Sequence, residues 1–231
     1  MTSGNDTTPF MPEHGDAIVL DDIVPLELRR DILRLVLRPI WSYGWKSVKN
    51  RDRFCFWHAH FAGGEEESRA NCEEELANDT AKAPIHALWK LLSATVLEGH
   101  EPLRVYANGH TYGVEGSIHS DSTDEQNYFT TIYYAHGAWE LDWAGEIVFF
   151  PREMDDISRS VYPKPGRVIM FRGATPHVAR SPSRECPELR TCIVFKTQLR
   201  KKATRARKAG PGQERSAAAS RRKPGRSAHV E

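Results

Sequence analysis

Cysteine is scarce in this chain, and none of it is arranged for metal or disulfide work. The four cysteines, Cys55, Cys72, Cys186 and Cys192, form no CxxC pair and no dense framework. That argues against a thiolate zinc module and fits free thiols in a reducing cytoplasm. Long hydrophobic runs are missing too. The longest, such as IVFF and VIMF, fall far short of a membrane span. The opening residues MTSGNDTTPFMPEHGD have neither a basic n-region nor an apolar h-region, so no secretory signal is expected. No internal repeat is visible. The expectation is a cytoplasmic protein with no membrane partner.

What is present begins with bulk. The 231 residues include six Trp, nine Phe and seven Tyr, enough for one domain with a sizeable core. Charge is unevenly placed. Of 32 Lys/Arg and 31 Asp/Glu, 11 and 2 lie from residue 199 onward, leaving 21 and 29 before it, a formal −8. An acidic body therefore carries a basic tail. The tail, 199–231, lacks aromatics and has almost no large aliphatics, so it is expected to be disordered. It is either a solvated extension or an arm for nucleic acid or another anionic surface. Residues 1–15 read as a flexible lead-in. Residues 16–198 make the folded domain, with a β-core from about residue 101.

Within that domain the texture changes once. AIVL reads as a short strand, Asp21-Asp22 as a turn or helix cap, and Leu26 to Leu37 as an amphipathic helix with Leu26, Leu28, Ile32, Leu33, Leu35, Val36 and Leu37 on its apolar face. RFCFWHAHFAGG is aromatic-rich and part strand. ESRANCEEELANDTAKA is part helix, and PIHALWKLLSATVLEGH has helical spacing. After residue 100, short β-branched and aromatic runs recur between turn residues: LRVYAN, FTTIYYAHG, GEIVFFP, GRVIMFRG and TCIVFKTQL. Helices followed by strands predict a mainly β, α+β domain: a sandwich or jelly roll buttressed by N-terminal helices.

The chemistry is concentrated in GSIHSDSTDEQNY. His119 and Asp121 sit at i and i+2, and at a strand end such a pair projects to one side. Two histidines and a carboxylate on one face of an iron ion leave its other face open for oxygen chemistry. The third ligand must come from a strand that folds back. His136 lies in YYAHGAW, read as a hairpin turn, whereas His177 directly follows the strand RVIMF, with the strands IYYAH and GEIVFF between that run and Asp121. His177 is the candidate. Arg190, entering RTCIVFKT, can pair bidentately with a carboxylate.

Those stretches, from Leu103 to Lys196, resemble the iron(II)/2-oxoglutarate-dependent dioxygenases, in their prolyl-4-hydroxylase-like branch. The resemblance rests on HxD…H…R together with VYANGHTYGVEGSIHSD, TTIYYAHGAWELDWAGEIVFFP and PKPGRVIMFRGATPHVARSP. It implies a double-stranded β-helix, the cupin-like jelly roll. It implies Fe(II) on His119, Asp121 and His177, with Arg190 holding the distal carboxylate of 2-oxoglutarate. Tyr134 would share that carboxylate and Tyr106 would line the co-substrate pocket. O2 would be the oxidant and ascorbate a candidate reductant. Ala144-Gly145-Glu146 stands where the family has Gly-Gly-Glu. Some prolyl hydroxylases use Lys in the role that Arg190 would fill. Lys196 shares the strand parity but lies six residues further on, so Arg190 is preferred. Related halogenases lack the carboxylate, so Asp121 favours hydroxylation.

The expected substrate is a small molecule, an amino acid or biosynthetic intermediate. A prolyl residue in a peptide or protein is the alternative, and a cupin-like binding module with a nucleic-acid-binding tail is the non-enzymatic one. His58 and His60 read as partly buried aromatics on one strand face rather than a second metal site. Trp139 and Trp143 read as packing. Asp124 and Glu125 are either a solvated loop or a cation contact. Arg172, Arg180 and Arg184 either meet an anionic substrate or compensate local acids.

Overall fold

The computed structural model describes residues 11–64 and 71–200. Among these residues ten strands form two antiparallel sheets. The first strand is β1 (Ile18–Leu20), followed by helix α1 (Leu26–Val36), β2 (Ser42–Trp45) and β3 (Phe56–Ala62). Helices α2 (Cys72–Asn78) and α3 (Ala83–Ser93) come next. The β-core then runs β4 (His100–His110), β5 (Tyr128–Tyr134), β6 (Ile147–Phe149), β7 (Arg159–Val161), β8 (Val168–Arg172), β9 (His177–Ala179) and β10 (Arg190–Leu199). The major sheet has the order β1-β8-β5-β10-β4-β3-β2 and the minor sheet β7-β6-β9. Mostly antiparallel β structure with a few N-terminal helices is what the sequence predicts.

Each face of the major sheet has its own core. Alternating residues of β4, β5 and β10 (Val105, Ala107, Phe129, Tyr133, Ile193, Phe195) face Ile32, Leu88, Trp89 and Leu92 of the helices. The opposite set (Tyr106, Ile132, Tyr134, Cys192, Val194) packs on Ile147 and Phe149 of the minor sheet. Helix α1 buries Ile32, Leu35 and Val36, but Leu26 and Leu37 are exposed at its two ends. The apolar stripe is therefore narrower than the leucine count implies. No side chain caps α1, whose N-cap is Pro25.

Asp21 instead pairs with Arg167 and Lys164, tying the end of β1 to the approach to β8. Asp22 pairs with Arg29.

Other boundaries differ from the sequence reading. The last five residues of the supposed lead-in are described, and they are held: Arg172 Nε donates to Pro12 O and Ser158 Oγ to Gly15 O. Strand β10 runs to Leu199, and Arg200 N donates to Gly99 O, so pairing continues two residues into the stretch assigned to the tail. The remainder of the lead-in, residues 1–10, and of the tail, 201–231, lies outside the described residues. Three strands, not two, lie between Asp121 and β8, because the RSV of β7 carries no apolar run to mark it.

Hydrogen bonding by Arg167, with help from Lys164, lowers the Asp21 carboxyl from 3.8 to about 2. A depressed folded-state value means the contribution is complete above 3.8 and is lost as pH falls through about 2. Asp21→Asn is expected to cost up to ~1 kcal/mol at pH 7, reduced by solvent screening of a half-exposed pair. Denaturant titrations of both proteins should converge as pH approaches about 2.

Candidate metal centre and co-substrate pocket

His119 and His177 face each other as a bridge pair: His119 N donates to His177 O at 3.0 Å, and His177 N to His119 O at 2.9 Å. The loop beyond is fixed on the turn after β8. Asp121 N and Ser122 N both donate to Gly173 O, and Gly173 N donates to Tyr128 O. A Cβ at Gly173 would lie 2.4 Å from the Tyr128 ring, so only glycine permits this approach. Asp52 fastens the other side, accepting from Val48 N and Ser117 N.

These constraints bring three ligand-type side chains together. The donor atoms of His119, Asp121 and His177 lie within 4.8 Å of one another. His119 Nε2 is 3.6 Å from Asp121 Oδ1, and His177 Nε2 is 3.7 Å from Asp121 Oδ2. Each Nδ1 is turned to a backbone carbonyl, Ser117 O at 2.8 Å and Thr175 O at 2.9 Å. With Nδ1–H donating there, both Nε2 lone pairs are aimed inward, the tautomer a divalent ion needs. Burial lowers His177 to about 4, so it is neutral at physiological pH. Burial also opposes protonation of His119, but the hydrogen bond and charge of Asp121 outweigh it and raise its value.

Asp121 carries more than the sequence reading assigned. Its Oδ2 accepts from Thr130 Oγ1 at 2.6 Å and forms an ion pair with Lys196, which also donates to Thr130. Burial alone would raise the Asp121 carboxyl, but Lys196, with the two histidines, holds it well below the usual carboxylate range. Strand parity did place Lys196 on the pocket face. What it could not show is that the side chain reaches the centre of the triad.

The far side of the same pocket belongs to Arg190, which is 1% exposed. Its Nε donates to Gly145 O and its Nη2 to Tyr134 Oη at 3.1 Å, while Nη1 is buried with no partner. An orphaned N–H on a buried guanidinium fits a carboxylate. Burial pushes the Tyr134 phenol up to about 12, so it remains an O–H donor. Tyr106 also lines this pocket. His110, opposite Arg190 in the β4–β10 register, was missed: it also lines the pocket, its Nδ1 is buried without a partner, and burial lowers it to about 3.

Gly145 approaches Arg190 so closely that a Cβ would meet Cδ at 3.0 Å. Ala144 before it has φ 53° and ψ −139°, a conformation favouring glycine, where the sequence departs from Gly-Gly-Glu.

Other candidates fall outside the centre. His136, read as part of a hairpin turn, is buried with Nε2 on Pro163 O at 2.7 Å. Trp139 is buried against Trp143, in keeping with packing. Asp124 accepts from Gln126 N and Asn127 N, and Glu125 pairs with Arg152, so both serve the loop itself. Arg172 holds Pro12 O and Glu125 O, Arg180 lies near Glu115, and Arg184 stacks on Tyr112. His58 is buried and His60 exposed, so the two do not share one environment.

The family model described as the 2OG-Fe(II) oxygenase superfamily matches residues 103–198. With the His119, Asp121 and His177 cluster, that match supports a 2-oxoglutarate-dependent non-haem iron dioxygenase, for which the superfamily implies Fe(II), 2-oxoglutarate and O2. Solved structures share the fold. A Trichoplax adhaerens prolyl hydroxylase in complex with a hypoxia inducible factor peptide fragment aligns at TM-score 0.54 and 16% identity, over 79% of this chain and 83% of that one. A Pseudomonas putida prolyl-4-hydroxylase aligns at 0.52 and 16%, over 82% and 94%. AviO1 from Streptomyces viridochromogenes aligns at 0.54 and 12%, over 87% and 94%. No curated protein sequence matches the chain. Among the described residues no helix is long and apolar enough to cross a membrane.

Two outcomes test this geometry. Lys196→Met strands a buried carboxylate, and should cost the metal-free protein about 3 kcal/mol in chemical denaturation. Adding Zn(II) should restore most of that. Ala144→Gly should raise stability by about 1 kcal/mol by relieving the backbone, and a lowered denaturation midpoint would refute the strain.

Proposed function

We propose that His119, Asp121 and His177 hold the iron, that Arg190 and Tyr134 hold the distal carboxylate of 2-oxoglutarate, and that the enzyme hydroxylates a C–H bond of a small metabolite. The observation that carries this reading is a single pocket with three inward-facing ligand side chains at one side and a buried guanidinium with an open N–H at the other.

Iron, when bound, supplies the oxygen activation that converts 2-oxoglutarate and O2 to succinate and CO2 while one oxygen atom enters the substrate C–H bond. The protein supplies position. Nδ1 bonds to Ser117 O and Thr175 O fix both imidazoles. Thr130 and Lys196 take Asp121 Oδ2, leaving Oδ1 to face His119. Arg190 needs no reorganisation to receive a carboxylate, because Gly145 O and Tyr134 already set its plane. Tyr106, Ile132, Ile147 and Val194 wall the space between with mostly apolar surface. Ser47 and Gly116 complete the lining, and Asp52 ties their two segments together through Val48 N and Ser117 N. A lining fixed in this way supports a small substrate over an extended peptide.

The anaerobic protein with Fe(II) and 2-oxoglutarate is expected to show a visible charge-transfer band and, on admission of O2, to release succinate. His177→Ala should abolish both, and substantial retained turnover would sink the triad. Arg190→Ala should raise the 2-oxoglutarate requirement by about 10–100-fold, the loss expected for a buried charged hydrogen bond. An unchanged requirement would refute its role.

A further inference from the structure

The core between the two sheets ends at Tyr106; neither β2 nor β3 contributes to it. Beyond that point the same region carries Trp45, His58 and His60, which line a groove of about 440 Å³ along β2 and β3. One buried group packed against Trp45, behind the groove and not in its lining, has no use in the chemistry described above. Arg104, on the same face of β4 as Tyr106, is only 8% exposed. Its guanidinium carbon lies 4.7 Å from the Trp45 ring centroid and 4.5 Å from that of Tyr106. His58 stacks on Trp45 at 4.1 Å and 12°, and tilts toward Tyr106 at 5.2 Å. The rings satisfy the faces of the guanidinium by cation–π contact. They give nothing to its edge, and Arg104 Nε and Nη2 are buried with no hydrogen-bond partner.

These two donors lie side by side on one edge of the fork, the edge that pairs with both oxygens of a carboxylate. Guanidinium cannot shed its proton, so an edge buried without acceptors is costly unless a ligand completes it. Two open in-plane donors between aromatic walls suit a planar oxyanion better than a tetrahedral phosphate. Tyr106 connects the places: it covers Arg104 on one side and lines the pocket of His119, Asp121 and His177 on the other. We infer that Arg104, walled by Trp45 and Tyr106, is the subsite for a carboxylate of the substrate, and that the oxidised substrate is a small carboxylic acid. This rests on the reading that 2-oxoglutarate occupies Arg190.

The test uses the full chain with Zn(II) in place of iron, which blocks turnover, and with 2-oxoglutarate present. Acetate, benzoate and indole-3-acetate, each beside its primary amide, are titrated by saturation-transfer NMR. At least one acid should bind about tenfold or more tightly than its amide, the loss expected when a charged hydrogen-bonding partner is removed. Arg104→Met, which keeps an unbranched chain between the rings, should abolish that preference. Equal binding of every acid and amide, or a preference that survives Arg104→Met, overturns the proposal. If the Met variant does not fold, Arg104→Lys keeps the charge and loses the paired edge; undiminished acid preference there overturns it equally. The affinity for 2-oxoglutarate separates the two readings. It should fall in Arg190→Met and hold in Arg104→Met. Insensitivity to Arg190→Met removes the co-substrate assignment and leaves the acid–amide comparison to decide on Arg104. Loss in Arg104→Met instead places 2-oxoglutarate itself there and overturns the substrate subsite.

Discussion

Strand β10 sends Ile193 and Phe195 into the helix-side core and Arg190, Cys192, Val194 and Lys196 toward the pocket. Its register with β4 and β5 together decides what the pocket contains. A slip of one residue would bury the two cations under the helices and turn Ile193 and Phe195 toward the triad. Pairing on both edges along most of its length makes that slip expensive. The sheet thus sets the distance between a buried arginine and a group of metal-type ligands without any dedicated device.

The triad itself depends less on strands than on loops that strands hold still. His119 and Asp121 lie outside the long strands, and their positions come from backbone bonds to His177 and Gly173. Asp52, far away in sequence, holds the approach to His119 through Ser117. Function sits on connecting segments while the sheet supplies rigidity, the usual division of labour in such domains.

Much of this was legible in the sequence because it follows periodicity. The five long β-runs, the two main helices and the HxD…H spacing all express local patterns that survive folding. Strands β2, β7 and β9 did not, since SYGW, RSV and HVA lack the unbroken apolar run that marks the equally short β1 and β6. Lys196 was visible on the right face yet assigned no contact, because parity gives direction and not reach. Arg104 was not singled out at all. Its meaning comes from Trp45, nearly sixty positions earlier, and from what its edge lacks, and neither is a property of neighbours in sequence. Leu26 and Leu37 erred the other way: composition placed them on an apolar face that the helix ends do not bury.

The ion pair between Lys196 and Asp121 bears on how such a site fills and empties. A bare carboxylate between two imidazoles would draw in any cation and collapse toward it. In this protein an internal ammonium already shares that carboxylate through Oδ2, so a dication entering the triad meets a partly neutralised ligand. Its net affinity is lower than three bare ligands would give. With no ion present, the same ammonium keeps the carboxylate in place, so the cleft holds its shape. The strand that carries Arg190 thus also provides a resident counter-charge.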